Sequence, residues 1–217
     1  MRKLLATLTL GAFLALLDTT ITGVGIHTLA DEFGSTLAAI QWVSTGYLLA
    51  VAVSAPLSGW GIDRFGARRM WLAGLSVFVA GSLASSLAWD VPSLIVTRMI
   101  TGLGGGLLEP IMLATLARAA GRERVGRVLG LSAIPMTMGP VVGPVVGGLL
   151  LETLPWQWVF IVKVPLGALA IALAVRLMPA EAPSTPSPGS ASGEDSRRLD
   201  VLGVLLLPPG FAALMYT

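Results

Sequence analysis

The sequence predicts an all-α membrane protein with six transmembrane helices and the start of a seventh. Three observations carry that prediction. Hydrophobic residues make up 54% of the 217 residues and charged residues only 12%, too few charges to cover the surface of a soluble domain. Apolar runs recur, and several reach the roughly 20 residues that a helix needs to cross a bilayer. The arginines and lysines fall in alternate connections, as they do in chains threaded through a membrane.

The first predicted span covers about 4–26. Arg2-Lys3 followed by Leu4 to Leu17 resembles the opening of a signal peptide, but apolar character continues past Asp18 through Ile21, Val24 and Ile26. That favours a retained span over a cleaved leader. The second covers about 42–62, the third about 70–89, the fourth about 91–116, the fifth about 127–150 and the sixth about 158–177. A seventh begins near 201 and runs to Thr217. Glycine (26) and proline (14) are frequent, which membrane helices tolerate.

Arg2, Lys3, Arg64, Arg68, Arg69, Arg118, Arg122, Arg124, Arg127, Arg176, Arg197 and Arg198 lie at the N-terminus and in the 2–3, 4–5 and 6–7 connections. The other three connections carry Asp31, Glu32, Asp90 and Glu152 and no Lys or Arg. The positive-inside rule then places the N-terminus in the cytoplasm of a multi-pass protein of the plasma membrane. The net charge of +2 adds little to this. With no cysteine in the chain, disulfides and thiolate metal sites are excluded. One histidine, His27, and no cysteine argue against an enzyme. No cofactor, metal site or nucleic-acid partner is expected.

Four ionisable residues lie within spans: Asp18, Arg98, Glu109 and Lys163. Each costs about 2.5–3.5 kcal/mol near a helix centre, so such groups face a partner or a cavity. Asp18 lies about 21 Å from the inner end of its span and Arg98 about 10 Å from the outer end of its own, at 1.5 Å per residue. Both fall at similar depth, where they could pair or bind something between them. A static pair holding helices together and a proton or substrate relay are both open. Glu109 follows Arg98 by three helical turns on one stripe with Thr101, Gly102 and Gly105. It is the weaker candidate for proton coupling. Lys163, near the outer end of the sixth span, is expected to snorkel to the interface.

The fifth span contains Gly139, Pro140, Gly143, Pro144, Gly147 and Gly148, in "GPVVGPVVGG". Glycine every four residues makes a smooth face for close helix approach. The stretch "GLGGG" at 102–106 lacks the strand before it and the Lys-Ser/Thr ending of a phosphate loop, which excludes nucleotide binding. The turn "SGWGIDRFGARRM" (58–70) breaks the apolar pattern with charge and glycine. Its arginines suit an anchor at anionic headgroups.

Taken together these stretches resemble the N-terminal half of a major facilitator superfamily transporter, with a closer likeness to the drug:proton antiporters of fourteen helices. Gly59-x-x-x-Asp63-Arg64-x-Gly66-x-Arg68 is similar to the superfamily's loop 2–3 signature. "LDTTITGVGIHTL" (17–29), "QWVSTGYLLA" (41–50), "RMITGLGGGLLEP" (98–110), "GPVVGPVVGG" (139–148) and "WQWVFIVKVPLG" (156–167) resemble signatures of spans 1, 2, 4, 5 and 6. The resemblance implies two inverted three-helix repeats and alternating access. It implies proton coupling at Asp18 and Arg98, and a cytoplasmic gate at Gly59, Asp63, Arg64, Gly66 and Arg68. The departures are Gly23 where asparagine is usual, His27 for proline, Thr101 for glutamine, Gln157 for arginine and Lys163 for asparagine.

The function expected is proton-coupled efflux of small, drug-like or amphipathic compounds, with Trp42 and Tyr47 as candidate aromatic walls. A superfamily transporter for a sugar or metabolite and a non-transporting membrane scaffold are the alternatives. The predicted organisation is a six-helix half-transporter at 1–178, a Pro/Ser/Gly-rich cytoplasmic linker at 179–198 and a truncated seventh span at 199–217. Family members are considerably longer. The reading therefore expects a truncated product whose cavity is closed by a missing second half or a second copy, in a lipid bilayer.

Overall fold

The computed structural model describes residues 2–178. The linker and seventh span expected at 179–217 lie outside the described residues. The described chain forms α1 (Arg2–Val24), α2 (Ile26–Glu32), α3 (Leu37–Ser54), α4 (Leu57–Phe65), α5 (Ala67–Ser86), α6 (Val91–Ala120), α7 (Val125–Thr153), α8 (Trp158–Ile161) and α9 (Lys163–Leu177). Among the described residues five segments are long and apolar enough to cross a membrane: α1, α3, α6, α7 and the α8–α9 run. The 20-residue α5 is the sixth long rod, less apolar because Arg68, Arg69 and four serines interrupt it.

Local chemistry sets the ends. Thr36 caps α3, its hydroxyl accepting from the Ala39 N–H at 3.3 Å, so the second rod starts earlier than its apolar run suggested. Pro56 cannot continue the backbone ladder, and the rod splits there into α3 and α4. Asp90 and Ser93 form a reciprocal capping box at the start of α6. Gly66 sits at φ 86°, a left-handed backbone that lets α4 reverse directly into α5.

Packing follows a two-fold pattern. The contacts that dominate are α3 with α6, α1 with α7, α5 with α6, α1 with α9 and, between the third and sixth rods, α5 with α9. Exchanging the first three rods for the last three turns the first of these pairs into the second, and the third into the fourth. The core is therefore built twice from the same interface, with α1 and α6 as the central equivalents. Leu8, Trp71, Leu75, Phe78, Leu108 and Met112 fill one cluster. Leu17, Ile21, Ile40, Val43, Leu94 and Phe160 fill the other.

Glycine makes both repeats of that interface close. A Cβ built on Gly102 would lie 2.9 Å from Ala50 Cβ, and one on Gly106 2.7 Å from the Val51 carbonyl. Gly139, Gly143 and Gly147 are buried against Leu16, Thr20 and Ile21 of α1. The expected smooth face of the fifth span is thus the α1 contact. Pro140 and Pro144 point outward and are exposed, and Gly148 has open space. The "GLGGG" stretch is likewise a junction: Gly104 faces Gly74 and Phe78 of α5, while Gly105 lies between Tyr47 and Phe78.

Candidate functional site: a carboxylate between two buried cations

Asp18 on α1 is fully buried. Arg98 on α6 donates from Nη1 to both its oxygens, at 2.8 and 2.7 Å. The pairing that depth suggested is present. A second cation completes the group: Lys163, the first residue of α9, is fully buried and donates from Nζ to Asp18 Oδ1. Lys163 therefore does not snorkel to an interface. The short turn at α8 ends at Ile161, and α9 restarts against α1 and α5, which sends the lysine stem inward. A lysine this far from water needs an anion beside it, and Asp18 supplies it.

Aromatic rings line the group. Arg98 Cζ stands 4.4 Å from the Tyr47 ring centroid and 5.7 Å from that of Phe160. Lys163 Nζ stands 4.8 Å from the Phe160 centroid. The negative ring faces offset part of the positive charge. The Tyr47 hydroxyl donates to the Ala15 carbonyl at 3.4 Å, which ties α3 to α1 beside the ions. Arg98 Nε is buried and without a hydrogen-bond partner. One carboxylate against two cations leaves one unit of positive charge inside the bundle.

The remaining sequence candidates lie elsewhere. Glu109 is exposed, three turns along α6 from the buried Arg98, and does not join the cluster. Tyr47 is 3% exposed and packs under Arg98, whereas Trp42 is 53% exposed. Sequence reasoning missed Lys163 and Phe160 as members of the site. The signal for Lys163 was available: it lies about 8 Å into its span, close to the depth of Arg98.

The glycine-punctuated turn forms a second polar group at the Arg-rich end. Asp63 accepts from Arg118 of α6 at 3.2 Å, and Arg68 donates to the Val175 carbonyl of α9 at 2.6 Å. Asp63 thus has a partner inside the described half. Both of its charges are more than half exposed, so the pair is weak as a source of stability. Arg64 stacks at 5.7 Å from the Trp60 ring. Gly59 is exposed with open space at its Cβ position, while Gly66 makes the turn itself. A cavity of about 190 Å³ lies beside Arg68, Thr115 and Arg118.

The sequence model of the Major Facilitator Superfamily matches residues 8–217. The chain is 40% identical over 207 residues to a "Multidrug resistance protein B homolog" of Mycobacterium tuberculosis (strain ATCC 25618 / H37Rv), covering 95% of this chain and 36% of that protein. It is 33% identical over 214 residues to an "Uncharacterized MFS-type transporter YhcA" of Bacillus subtilis (strain 168), covering 99% and 38%. The chain therefore spans less than half the length of the curated relatives it matches. Among solved structures, the proton:xylose symporter XylE superposes with a TM-score of 0.73 at 17% identity, over 81% of this chain and 44% of that one. A peptide transporter, POT, gives 0.72 at 18% identity over 98% and 44%. These likenesses carry the fold.

Proposed function

This chain belongs to the major facilitator superfamily, a family of transporters rather than enzymes, and from that premise we propose that it serves proton-coupled efflux of small amphipathic compounds. The observation that carries the reading is the Asp18–Arg98–Lys163 group, three ionisable side chains held in contact inside the membrane-crossing bundle. Buried ionisable groups of this kind mark ion pathways. The relative named for multidrug resistance supports drug-like compounds as the solute class.

In this reading α1 and α6 are the central rods of two inverted repeats, and the ion group joins them at one depth. A proton and a solute use the centre in alternation, so that each crosses in the opposite sense. Arginine alternation supports an N-terminus in the bacterial cytoplasm. The Asp63 turn, with Arg64, Gly66 and Arg68, then lies at the cytoplasmic gate, with Gly59 on its exposed side. Trp42 offers an unoccupied aromatic face for an apolar or cationic compound, whereas the face of Tyr47 is taken by Arg98. Glu109 stands apart from the centre. The wall facing this half would come from further chain or from a second copy.

Inside-out vesicles carrying the protein test the proposal. Acidifying the lumen should drive accumulation of a fluorescent amphipathic cation, and an uncoupler should abolish it. Accumulation of a sugar instead would move the reading to another solute class. Uptake that ignores the pH gradient would remove proton coupling.

A further inference from the structure

We propose that the exchangeable proton of this centre resides on Lys163 Nζ, with Asp18 remaining a carboxylate throughout. The inference rests on the proton-coupled reading above and names the group that performs it.

A charge count leads there. Asp18 accepts from two cations at once, from Arg98 through both oxygens and from Lys163 through Oδ1. Protonating Asp18 would leave two cations facing a neutral acid in a site with no exposure, and each would have lost its counter-ion. Removing a proton from Lys163 does the reverse. It leaves Asp18 and Arg98 as a closed neutral pair, bonded through both carboxylate oxygens. Arg98 does not release a proton in proteins, whereas a lysine ammonium does. The neutral amine keeps two N–H donors and gains a lone pair, so it still donates to Asp18.

The surroundings permit that change. The charged or titratable groups facing Lys163 are Asp18 from α1, Arg98 from α6 and, beyond Arg98, Tyr47 from α3. The α8 turn contributes the Phe160 ring, which favours the ammonium but does not require it. The α5 face presents Val79 near the start of α9, and its arginines lie at the opposite end. No other acid lies beside the lysine among the described residues to hold its charge.

The step balances simply. The ammonium gives its proton to a water, yielding amine and hydronium; the return step takes a proton from a hydronium on the other side. Between them the buried set alternates between one net positive charge and none. A bound cationic compound is repelled in the first state and tolerated in the second, which makes proton and solute exclude each other.

Two measurements test the assignment. Lys3 and Lys163 are the lysines of this 217-residue chain, so lysine labelled with ¹⁵N at Nζ gives two resonances that Lys163→Arg assigns. On titrating the wild-type protein in lipid, the Lys163 resonance should pass from ammonium to amine. Over the same range, infrared difference spectra should show no protonated carboxyl band that Asp18→Asn removes. An Asp18 carboxyl band with a persistent Lys163 ammonium would overturn the proposal and leave proton coupling standing; so would no titration at either group. In vesicles, Lys163→Arg keeps the charge and the ion pair but not the releasable proton. It holds the buried set in its positive state, so it should lose both transport driven by a pH gradient and downhill exchange of the cationic compound. Retained pH-driven transport by that variant would also overturn the assignment. If wild-type transport itself ignores the gradient, the functional reading fails, by a different observable.

Discussion

Asp18 holds two cations, so its loss exposes more than its own charge. Removing one partner of a buried ion pair costs on the order of 3–5 kcal/mol, because the other charge is left without compensation. Asp18→Asn is expected to lower unfolding stability in detergent by that order. Asp18→Asn combined with Lys163→Met should recover part of it, because the second change removes one stranded cation. Additive losses in that double-mutant cycle would contradict the contact. The sequence made half of this site legible. Depth counting along two helices placed Asp18 opposite Arg98 without any structure. It left Lys163 out, because a long stem near a helix end ordinarily reaches water. Only the restart of α9 after the α8 turn sends the stem inward, and no periodicity in the sequence carries that bend. Phe160 was hidden for a related reason: an apolar residue in an apolar run has no mark showing that it faces a charge.

At the scale of helices, glycine spacing was the most informative feature. The period of four in the fifth span predicted a close neighbour, and α1 occupies that place through Thr20 and Ile21. Gly143→Leu should separate α1 from α7 and cost about 1–3 kcal/mol by overpacking, whereas Gly148→Ala should be near neutral because its Cβ position is open. Thermal unfolding of the two variants checks the contrast. What glycine spacing left unsaid was the neighbour's identity, since any small-residue face accepts any helix. The start of α6 offers a pH-dependent test. Hydrogen bonds from Ser93 hold the Asp90 carboxyl below the usual carboxylate range. A lowered folded-state value means that the cap's contribution is present above the ordinary carboxylate range and is lost as pH falls through the lower folded value. The protection factor of the Ser93 amide, whose N–H donates to Asp90 Oδ1 at 2.8 Å, should fall on that acid side. Asp90→Asn should flatten the dependence, because an amide caps without titrating.

The described residues repeat one interface twice, α3 on α6 and α1 on α7, and the ion group bridges the two central rods. Composition and run length established the membrane class and the six rods, because burial in lipid demands apolar length whatever the fold. The order of short motifs pointed to the family that the matched residues 8–217 establish. Rod boundaries were less legible: the Pro56 break and the Thr36 cap depend on one residue each within long apolar runs. The polar turn was legible as a turn from Gly66, but its internal bonds from Asp63 to Arg118 and from Arg68 to α9 were not, since they join residues far apart in sequence. Our central proposal is that the buried Asp18–Arg98–Lys163 group couples protons to solute movement. The direct test is proton release in vesicles with a preset acidic lumen, monitored by a pH-sensitive dye while the transported compound is added outside. The wild-type protein should discharge the gradient on addition, and Asp18→Asn, confirmed as folded, should not. An Asp18→Asn protein that discharges the gradient as the wild type does would contradict the account.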